Sequence, residues 1–536
     1  MRVAAFTSVA LLLGTSAAAD AQTSTRPPAP VLTVGANLKE LVFNWDPVPG
    51  AVNYRLMTNT AAHGYFEPLG DRIPAARPRA AIPIAVHKQN WSTARYFVQA
   101  CNPAGCTRSN EILPSDLMLD AIGYLKSSNT GAQDALGSQV ALSADGSTLA
   151  VSADGEDGPN NSLPDSGAVY VYRRSGRRWA QEAMLRASDG LPNTSLGGRS
   201  SVTFRNMGLS ADGTLLAVGA PTRERAGLAN AGMVFVFQRA ADNSWSEVAK
   251  FAGLVANSDD QFGYSVDVAS DGTVIKVSSL YPQGGTGTPE GRTHFYYRNG
   301  GTWDYSGAIA PPYAGDRCPT VRMTADAKLL VSACKTSTGQ GRLVMSRRVA
   351  GTWSRVADQA YLWFENPNMA VTYDGSWLAV HEGDTFYTEG GIGVYRRDNL
   401  TWVKDAHWLP PSNVGHDGFG HAMEFSRHGD YLAFSDPTWY ASGAGAQEQW
   451  SSSGSSDGGV LVLKRRPGSI PDFFYTYLIK APNPGALDRF GESVAFGGPD
   501  GHYLAIGAPG EDSAATGVDG DRQNEAGEDS GAAYLY

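Results

Sequence analysis

The stretch that decides the fold is V-A-L-S-A-D-G-S-T-L-A-V, at residues 140–151. Two apolar runs flank an Asp-Gly turn, and Asp-Gly tolerates the positive φ angles that a two-residue β-hairpin needs. The frame recurs along the chain at spacings of 48 to 72 residues. Its seven turn centres are Asp145, Asp212, Asp271, Asp326, Asp374, His428 and Asp500. A repeat of this length holds more than one hairpin, so each copy is expected to be a small sheet.

Each repeat continues with two further strands after the hairpin. A loop of variable length leads to a third apolar run, such as S-G-A-V-Y-V-Y-R (166–173). A turn containing a Trp follows, and then a fourth run such as E-A-M-L-R-A-S (182–188). Four antiparallel strands at this period predict one β-propeller blade per repeat. A blade cannot cover both of its faces alone, so seven blades are expected to stack in a ring.

The two ends of the repeat region indicate how the ring closes. The chain reads N-T-G-A-Q-D-A-L-G at 129–137 and N-P-G-A-L-D-R-F-G at 483–491. The seventh repeat stops after its third strand, S-G-A-A-Y-L-Y (530–536), whereas an extra run, I-G-Y-L-K-S-S-N (122–129), precedes the first repeat. We therefore expect the N-terminal run to complete the last blade of a propeller spanning 118–536. Such closure removes the exposed strand edges that invite aggregation.

A separate domain is predicted at residues 27–115. It has a Pro-rich start, Trp45 followed by a Pro/Gly turn and Tyr54, and the pattern Y-x-V-x-A-x-N-x-x-G from Tyr96 to Gly105. These features resemble the fibronectin type III family. The resemblance implies a β-sandwich with Trp45 and Tyr96 in or near its core. The predicted fold is thus all-β, a fibronectin type III-like sandwich followed by a seven-bladed propeller closed by its N-terminal strand.

The repeats resemble the FG-GAP family, which forms the blades of integrin α-subunit propellers. The residues that carry the resemblance are L-G at 136–137, F-G at 262–263, 419–420 and 490–491, and G-A-P at 219–221 and 507–509. Blades four and five lack both halves of this signature. The resemblance implies the propeller fold and says little about function.

The N-terminus has the form of a secretory signal peptide, residues 1–21. Arg2 supplies the positive start, Val9–Leu13 form the centre of a short apolar stretch, and Ala19-Asp20-Ala21 fits the small-x-small cleavage rule. The alternative is a retained membrane anchor, but the stretch is shorter than the roughly 20 residues that span a bilayer. We expect a protein without a transmembrane segment that is secreted or periplasmic.

The four cysteines fit an oxidising compartment, where disulfides persist. Cys101 and Cys106 flank the turn N-P-A-G, and we expect a disulfide between them that rigidifies this loop. Cys318 and Cys334 lie eight residues either side of Asp326. In a hairpin centred on Asp326 the latter two would face each other, so we predict a cross-strand disulfide in blade four. Zinc is the competing use, but the spacing lacks a C-x-x-C pair.

Calcium is the cofactor that the integrin resemblance raises. Integrin blades often carry a D-x-D-x-D-G loop between the first and second strands, whereas the hairpin turns here have one acid each. Calcium takes six to eight oxygen ligands, so we do not expect it at these turns. The long loop at 510–530 is the other candidate, and its alternative interpretation is a solvated acidic loop. The residues that could meet around a cation there are Glu511, Asp512, Asp519, Asp521 and Asn524.

The charge and the absent motifs argue against some classes of function. The 536-residue chain has a net charge of −10 and no basic stripe, which argues against nucleic acid as a partner. It contains no G-x-S-x-G, no H-E-x-x-H and no phosphate-binding loop. The leading hypothesis is an exported, monomeric, non-enzymatic binding or adhesion protein whose propeller loops hold an extracellular protein or carbohydrate. The alternative is a carbohydrate- or polymer-active enzyme with acids converging on the propeller axis.

Overall fold

The computed structural model describes most of the chain outside its N-terminus. The described residues are 25–59, 64–88, 93–115, 117–198, 205–254, 257–280, 291–336, 338–362, 368–382, 390–410, 418–439, 444–447, 457–469 and 471–536. The predicted signal peptide, residues 1–21, lies outside them. The chain divides into a unit formed by residues up to Val34, Val42–Ala81 and Thr93–Leu113, and a second unit formed by Gly35–Leu41, Ile82–Ser92 and Pro114–Tyr536.

The N-terminal strands form two antiparallel sheets. One has the order β1 (Thr33–Asn37), β2 (Glu40–Asn44) and β6 (Arg79–Pro83). The other contains β3 (Asn53–Asn59), β4 (Glu67–Pro68), β5 (Ile73–Pro74), β7 (Arg95–Asn102) and β8 (Gly105–Arg108). Trp45 and Tyr96 are buried, Trp45 against Tyr54 and Tyr96 against Phe43. The fibronectin type III assignment stays a prediction.

From Pro114 onwards the chain has a short helix, α1 (Leu117–Asp120), and β9 (Gly123–Leu125), and then forms seven consecutive sheets. Blades one to three are β10 (Leu136–Leu142), β11 (Thr148–Ala153), β12 (Ala168–Ser175), β13 (Arg178–Leu185); β14 (Met207–Leu209), β15 (Leu215–Ala220), β16 (Met233–Arg239), β17 (Trp245–Phe251); and β18 (Ser265–Val268), β19 (Val274–Ser279), β20 (Arg292–Asn299), β21 (Thr302–Ile309). Blades four and five are β22 (Arg317–Met323), β23 (Leu329–Lys335), β24 (Gly341–Val349), β25 (Thr352–Leu362); and β26 (Met369–Val371), β27 (Trp377–Glu382), β28 (Gly391–Asp398), β29 (Thr401–Trp408). Blade six is β30 (Met423–Phe425), β31 (Tyr431–Asp436), β33 (Gly459–Arg465) and β34 (Phe473–Ile479), with β32 (Ala446–Gln447) on its outer edge. Blade seven is β35 (Ser493–Gly497), β36 (Tyr503–Ala508), β37 (Ala532–Leu535) and β9.

The ring closes as the sequence predicts. β9 pairs antiparallel with β37, with Tyr124 opposite Tyr534 and Leu125 opposite Ala533. The first strand of each blade also contacts the first strand of the next, and that of blade seven contacts that of blade one. Both observations confirm a seven-bladed β-propeller whose last sheet is completed from the N-terminal side.

The hairpin turns differ from the expected two-residue type. In blade one, the N–H of Ser143 donates to the carbonyl oxygen of Thr148 (2.9 Å), which leaves a four-residue loop between the strands. Gly146 alone of that loop has a positive φ, of 66°. The side chain of Asp145 accepts the N–H of Ser147 (2.9 Å) and stabilises the turn. The prediction of a two-residue loop was wrong because the Asp serves as a side-chain cap on a longer turn.

The FG-GAP glycines are explained by close contact of backbones. In blade seven the N–H of Gly491 donates to the carbonyl oxygen of Gly507 (3.0 Å). A Cβ atom on Gly507 would lie 1.9 Å from the carbonyl oxygen of Gly137, in blade one. Gly219 of blade two stands in the same relation to Gly263 of blade three, at 2.0 Å. The motif therefore lets neighbouring blades approach where a side chain would not fit.

Both predicted disulfides are present. Cys101 is bonded to Cys106, and Cys318 is bonded to Cys334. Cys318 lies three residues before Val321, in the place that Gly491 occupies before Val494 in blade seven. In blade four, which lacks the FG-GAP signature, the disulfide thus joins the strand ends that a backbone hydrogen bond joins in blade seven.

The Trp residues of the repeats pack between blades. They lie at the start of the fourth strands, which therefore begin earlier than the run at 182–188 suggested. Trp179, Trp353 and Trp402 are at most 8% exposed. Each joins an apolar cluster built from two neighbouring blades.

Candidate ligand-binding site

One cavity of about 150 Å³ is lined by the first strands of all seven blades, and we call it the axial pocket. Its rim is built from the turns that join the first two strands. The rim residue directly precedes the turn centre in six repeats, and in the seventh it is Gly498, two residues before Asp500. The rim residues are Ala144, Ala211, Ser270, Ala325, Tyr373, Arg427 and Gly498. Five of the seven side chains are small and leave the mouth of the pocket open on most sides.

The rim turns are tied to one another by the backbone. The N–H of Ala211 donates to Ser270 (2.9 Å), that of Ser270 to Ala325 (2.8 Å) and that of Ala325 to Tyr373 (3.2 Å), in each case to the carbonyl oxygen. These bonds link blades two to five. The rim is therefore a fixed frame over these four blades.

Tyr373 and Arg427 are the two rim residues with large side chains. The guanidinium group of Arg427 lies 4.5 Å from the centre of the Tyr373 ring, and the Tyr373 hydroxyl donates to the Ser270 hydroxyl (2.8 Å). The acids three residues to either side of Arg427 have other partners, since Glu424 pairs with Arg205 (2.7 Å) and Asp430 with Arg465 (3.2 Å). Arg427 is exposed and presents its charge at the mouth of the pocket.

Charged side chains close the bottom of the axial pocket. They occupy one register position, four residues before the turn centre, in blades three, four and six: Asp267, Arg322 and Glu424. Asp267 is 3.0 Å from Nζ of Lys276 and accepts the N–H of Met323 (3.1 Å). A second cavity of about 30 Å³ shares Arg205, Arg322 and Glu424 with the axial pocket, so these three residues separate the two along the axis.

The charges of this layer favour the ionised form of Asp267. Burial opposes ionisation of Asp267, but the charges of Lys276, Arg322 and Arg205 outweigh it and hold the pKa of Asp267 below its usual value. Burial lowers the pKa of Lys276 to about 8, although Asp267 acts in the opposite direction. An ion-paired carboxylate with a depressed pKa is a poor proton donor.

Arg322 has unused hydrogen-bonding capacity. The residue is 7% exposed, and its Nε donates to the carbonyl oxygen of Met369 (3.0 Å). Its Nη1 is 3.6 Å from Asp267, beyond hydrogen-bonding distance, and has no hydrogen-bond partner among the residues that the structure describes. A buried donor without a partner is costly unless a ligand or water accepts from it.

The predicted calcium ligands have other partners. Glu511 is buried, and it accepts from Nζ of Lys126 (2.9 Å) and from the hydroxyl of Tyr124 (2.7 Å). Asp519 accepts the N–H of Tyr124 (3.2 Å). The other three, Asp512, Asp521 and Asn524, accept backbone N–H groups of Asp529, Gln523 and Ala526. Within the described ranges, no three His, Cys, Asp or Glu side chains form a metal-ligand group. Calcium at this loop stays a prediction.

The same set of hydrogen bonds occurs at two junctions between blades, which explains why the segments 129–137 and 483–491 are so similar. Asn483 donates to Glu511 (3.2 Å) and accepts from the Tyr534 hydroxyl (2.8 Å). In blade one, Asn129 likewise donates to Glu156 (3.2 Å) and accepts from the Tyr170 hydroxyl (2.7 Å). The cation is Lys126 in the first case and Arg186, bonded to Glu156, in the second. The similar nine-residue segments are thus structural connections between blades.

Each of the two segments, 129–137 and 483–491, also contains a buried acid with a raised pKa. Burial raises the pKa of Asp488 to about 7, with a further increase from Glu511, Asp512 and Glu525, while the N–H of Gly485 opposes it. Burial likewise raises the pKa of Asp134 to about 6. These acids lie in the connections between blades, and neither lines the axial pocket.

Sequence reasoning did not find the axial residues, although a signal for some of them exists. A charge interrupts the apolar first strand in V-D-V (266–268), V-R-M (321–323) and M-E-F (423–425), always at the same register. It also missed Leu196-Gly197, whose glycine N–H donates to the carbonyl oxygen of Gly219 (2.9 Å) as an FG glycine does. A register-aligned comparison of repeats would have identified both.

The fold and the pocket define the class of protein, a seven-bladed β-propeller with an axial cavity. Residues 123–172, from β9 to β12, match the FG-GAP repeat family, so the chain carries an FG-GAP repeat. No curated protein sequence resembles the chain significantly.

Several solved structures are similar to this chain. A candidate 6-phosphogluconolactonase from Bacteroides fragilis has a TM-score of 0.40 and 13% identity, and the match covers 82% of this chain and 98% of that one. The periplasmic gluconolactonase of Pseudomonas aeruginosa has a TM-score of 0.42 and 14% identity, with 81% and 98% covered. Sqt1 of Chaetomium thermophilum has a TM-score of 0.41 and 12% identity, with 72% and 82% covered. Similarity at this level identifies no activity for this chain.

Proposed function

We propose that this protein is an exported binding protein that holds a carbohydrate or protein ligand at the mouth of the axial pocket. The observation that carries the proposal is the rim, where the turn residue is small in five blades and is Tyr373 or Arg427 in the other two. Specificity on a repeat scaffold is expected at positions that vary while the frame stays fixed. A cavity with an aromatic wall and a few convergent polar groups is the usual form of a ligand site.

Export is part of the same proposal. The two disulfides fit an oxidising compartment, and the N-terminal residues have the form of a signal peptide. None of the helices in the described ranges is long and apolar enough to span a bilayer. The N-terminal sheets, as a fibronectin type III-like domain, would serve as a spacer or a second contact surface.

The chemistry of the pocket favours binding over hydrolysis. A polymer-active enzyme of the glycosidase type needs an acid with a raised pKa beside a second carboxylate. The axial acid Asp267 instead has a lowered pKa, and Glu424 is paired with Arg205.

An array of extracellular polysaccharides and matrix proteins tests this function. Wild-type protein should bind at least one member, and Tyr373→Ala should weaken that binding by about ten-fold or more. The matched control is Tyr313→Ala, because Tyr313 also stacks under a guanidinium group, that of Arg342 (4.1 Å), outside the pocket. Binding that is insensitive to Tyr373→Ala, or turnover of an array polymer by the purified protein, would contradict the proposal.

A further inference from the structure

The axial pocket has an excess of positive charge. Its lining includes three guanidinium groups, those of Arg205, Arg322 and Arg427, and two carboxylates, those of Asp267 and Glu424. Lys276 adds a further cation behind Asp267. The chain as a whole is acidic, with a net charge of −10. The positive excess is therefore a local property of the pocket.

The three arginines differ in role because they differ in position. Arg205 is already matched by Glu424 at 2.7 Å. Arg322 lines the bottom of the cavity, with its buried Nη1 3.6 Å from Asp267, and Arg427 lies at the rim. A ligand that enters past Arg427 and reaches Arg322 would meet two donors suited to a planar oxyanion.

Resting on the proposed function, we propose that the axial pocket binds a carboxylate-bearing sugar, a hexuronate residue of an acidic polysaccharide. The cavity of about 150 Å³ has room for roughly ten water-sized groups, which is close to the size of one hexuronate ring. The side chain of an aspartate or glutamate would leave much of it unfilled. Tyr373 supplies an apolar wall beside the ring, and the guanidinium group of Arg322, at the bottom of the pocket, pairs with the carboxylate.

Calorimetry with oligogalacturonate and oligomannuronate tests this inference, with their methyl esters and a poly-glutamate peptide as comparison ligands. At least one acidic oligosaccharide should bind, and its methyl ester, which keeps the ring and removes the charge, should bind at least about ten-fold more weakly. Arg427→Ala should weaken binding of the acidic form by about ten-fold. Arg348→Ala, which removes an arginine stacked on Tyr297 (4.1 Å) outside the pocket, should not.

Arg322→Met should weaken binding more than Arg427→Ala, provided that its circular dichroism spectrum and melting temperature show a folded protein. The exposed Arg427 keeps the test valid if Arg322→Met does not fold. Equal binding of the acidic oligosaccharide and its methyl ester would overturn the inference, as would binding of poly-glutamate and of neither uronate. In either case the proposed function stands if Tyr373→Ala abolishes the binding that is observed. Absence of binding by both uronates would overturn the inference alone, because the array still tests the function.

Discussion

Lys126 and Glu511 form a buried ion pair, with Nζ 2.9 Å from Oε2 and neither side chain more than 2% exposed. Lys126 directly follows the closing strand β9, and Glu511 begins the long loop of blade seven. The hydroxyl of Ser530 also accepts from Lys126 (2.8 Å). The pair therefore fastens the N-terminal strand to the C-terminal blade at the point where the ring closes.

Removal of one partner should destabilise the propeller strongly. Lys126→Met leaves the Glu511 carboxylate buried without its cation, and a loss of about 3–5 kcal/mol in the free energy of unfolding is expected. Urea unfolding followed by tryptophan fluorescence measures this. The control is Lys250→Met, which breaks the exposed pair with Asp189 (3.0 Å) and should cost at most about 1 kcal/mol. Equal effects of the two substitutions would contradict a role of the buried pair in closure.

The buried Asp488 should make stability depend on pH. Its pKa is about 7 in the folded protein, above the ordinary value of 3.8, so the folded state binds the proton more tightly than the unfolded state. The stabilisation is complete below the unfolded pKa and is lost as pH rises towards and through 7, at about 1.4 kcal/mol for each unit of pKa difference. Asp488→Asn should therefore be more stable than wild type at pH 8, with the advantage shrinking towards pH 4. Unfolding curves at pH 5 and 8 measure this, and an advantage that grows as pH falls would contradict it.

The contact between Gly507 and Gly137 should not tolerate a methyl group. Gly507→Ala would place Cβ 1.9 Å from a backbone oxygen of blade one, and we expect a loss of at least about 3 kcal/mol. Gly301→Ala is the control, since nothing lies within 4 Å of its Cβ position. Thermal melts of both variants compare them, and a Gly507→Ala protein as stable as the control would show that the blades are less closely packed.

The disulfide of blade four should stabilise more than the N-terminal one. Cys318–Cys334 has a sequence separation of 16 and Cys101–Cys106 of 5. The longer loop is worth about 3 kcal/mol, and about 1 kcal/mol more than the shorter one, in the chain-entropy account. Paired Cys→Ala variants of each bridge measure the difference by urea unfolding. Intact-mass analysis with and without reductant should show both bonds, and free thiols in protein purified without reductant would contradict them.

Local patterns in the sequence predict the blades because each blade is built from neighbours in the chain. The Asp-Gly turns and the third-strand runs indicate the strands and their number. The similar segments that begin at Asn129 and Asn483 indicate that β9 completes the last blade. The turns have four residues and not two because the Asp side chain caps the turn, and the local sequence pattern does not reveal that cap.

The axial pocket could not be predicted in the same way. Arg322 and Asp267 are 55 residues apart, and Arg205 and Glu424 are 219 apart, and they meet because the ring brings equivalent positions of different blades together. The sequence shows the charge density of the 510–530 loop, but it does not show that Lys126 and backbone N–H groups donate to these acids. Calcium at this loop stays a prediction.

The measurement that tests the account most directly is a nuclear Overhauser contact between Tyr124 and Tyr534 in deuterated protein with protonated tyrosine rings. The two ring centres lie 5.5 Å apart across the closing strand pair. A ring-to-ring cross-peak that is lost in Tyr534→Phe is the expected result. Contacts of Tyr124 with other rings and none with Tyr534 would contradict closure of the propeller, and with it the axial pocket.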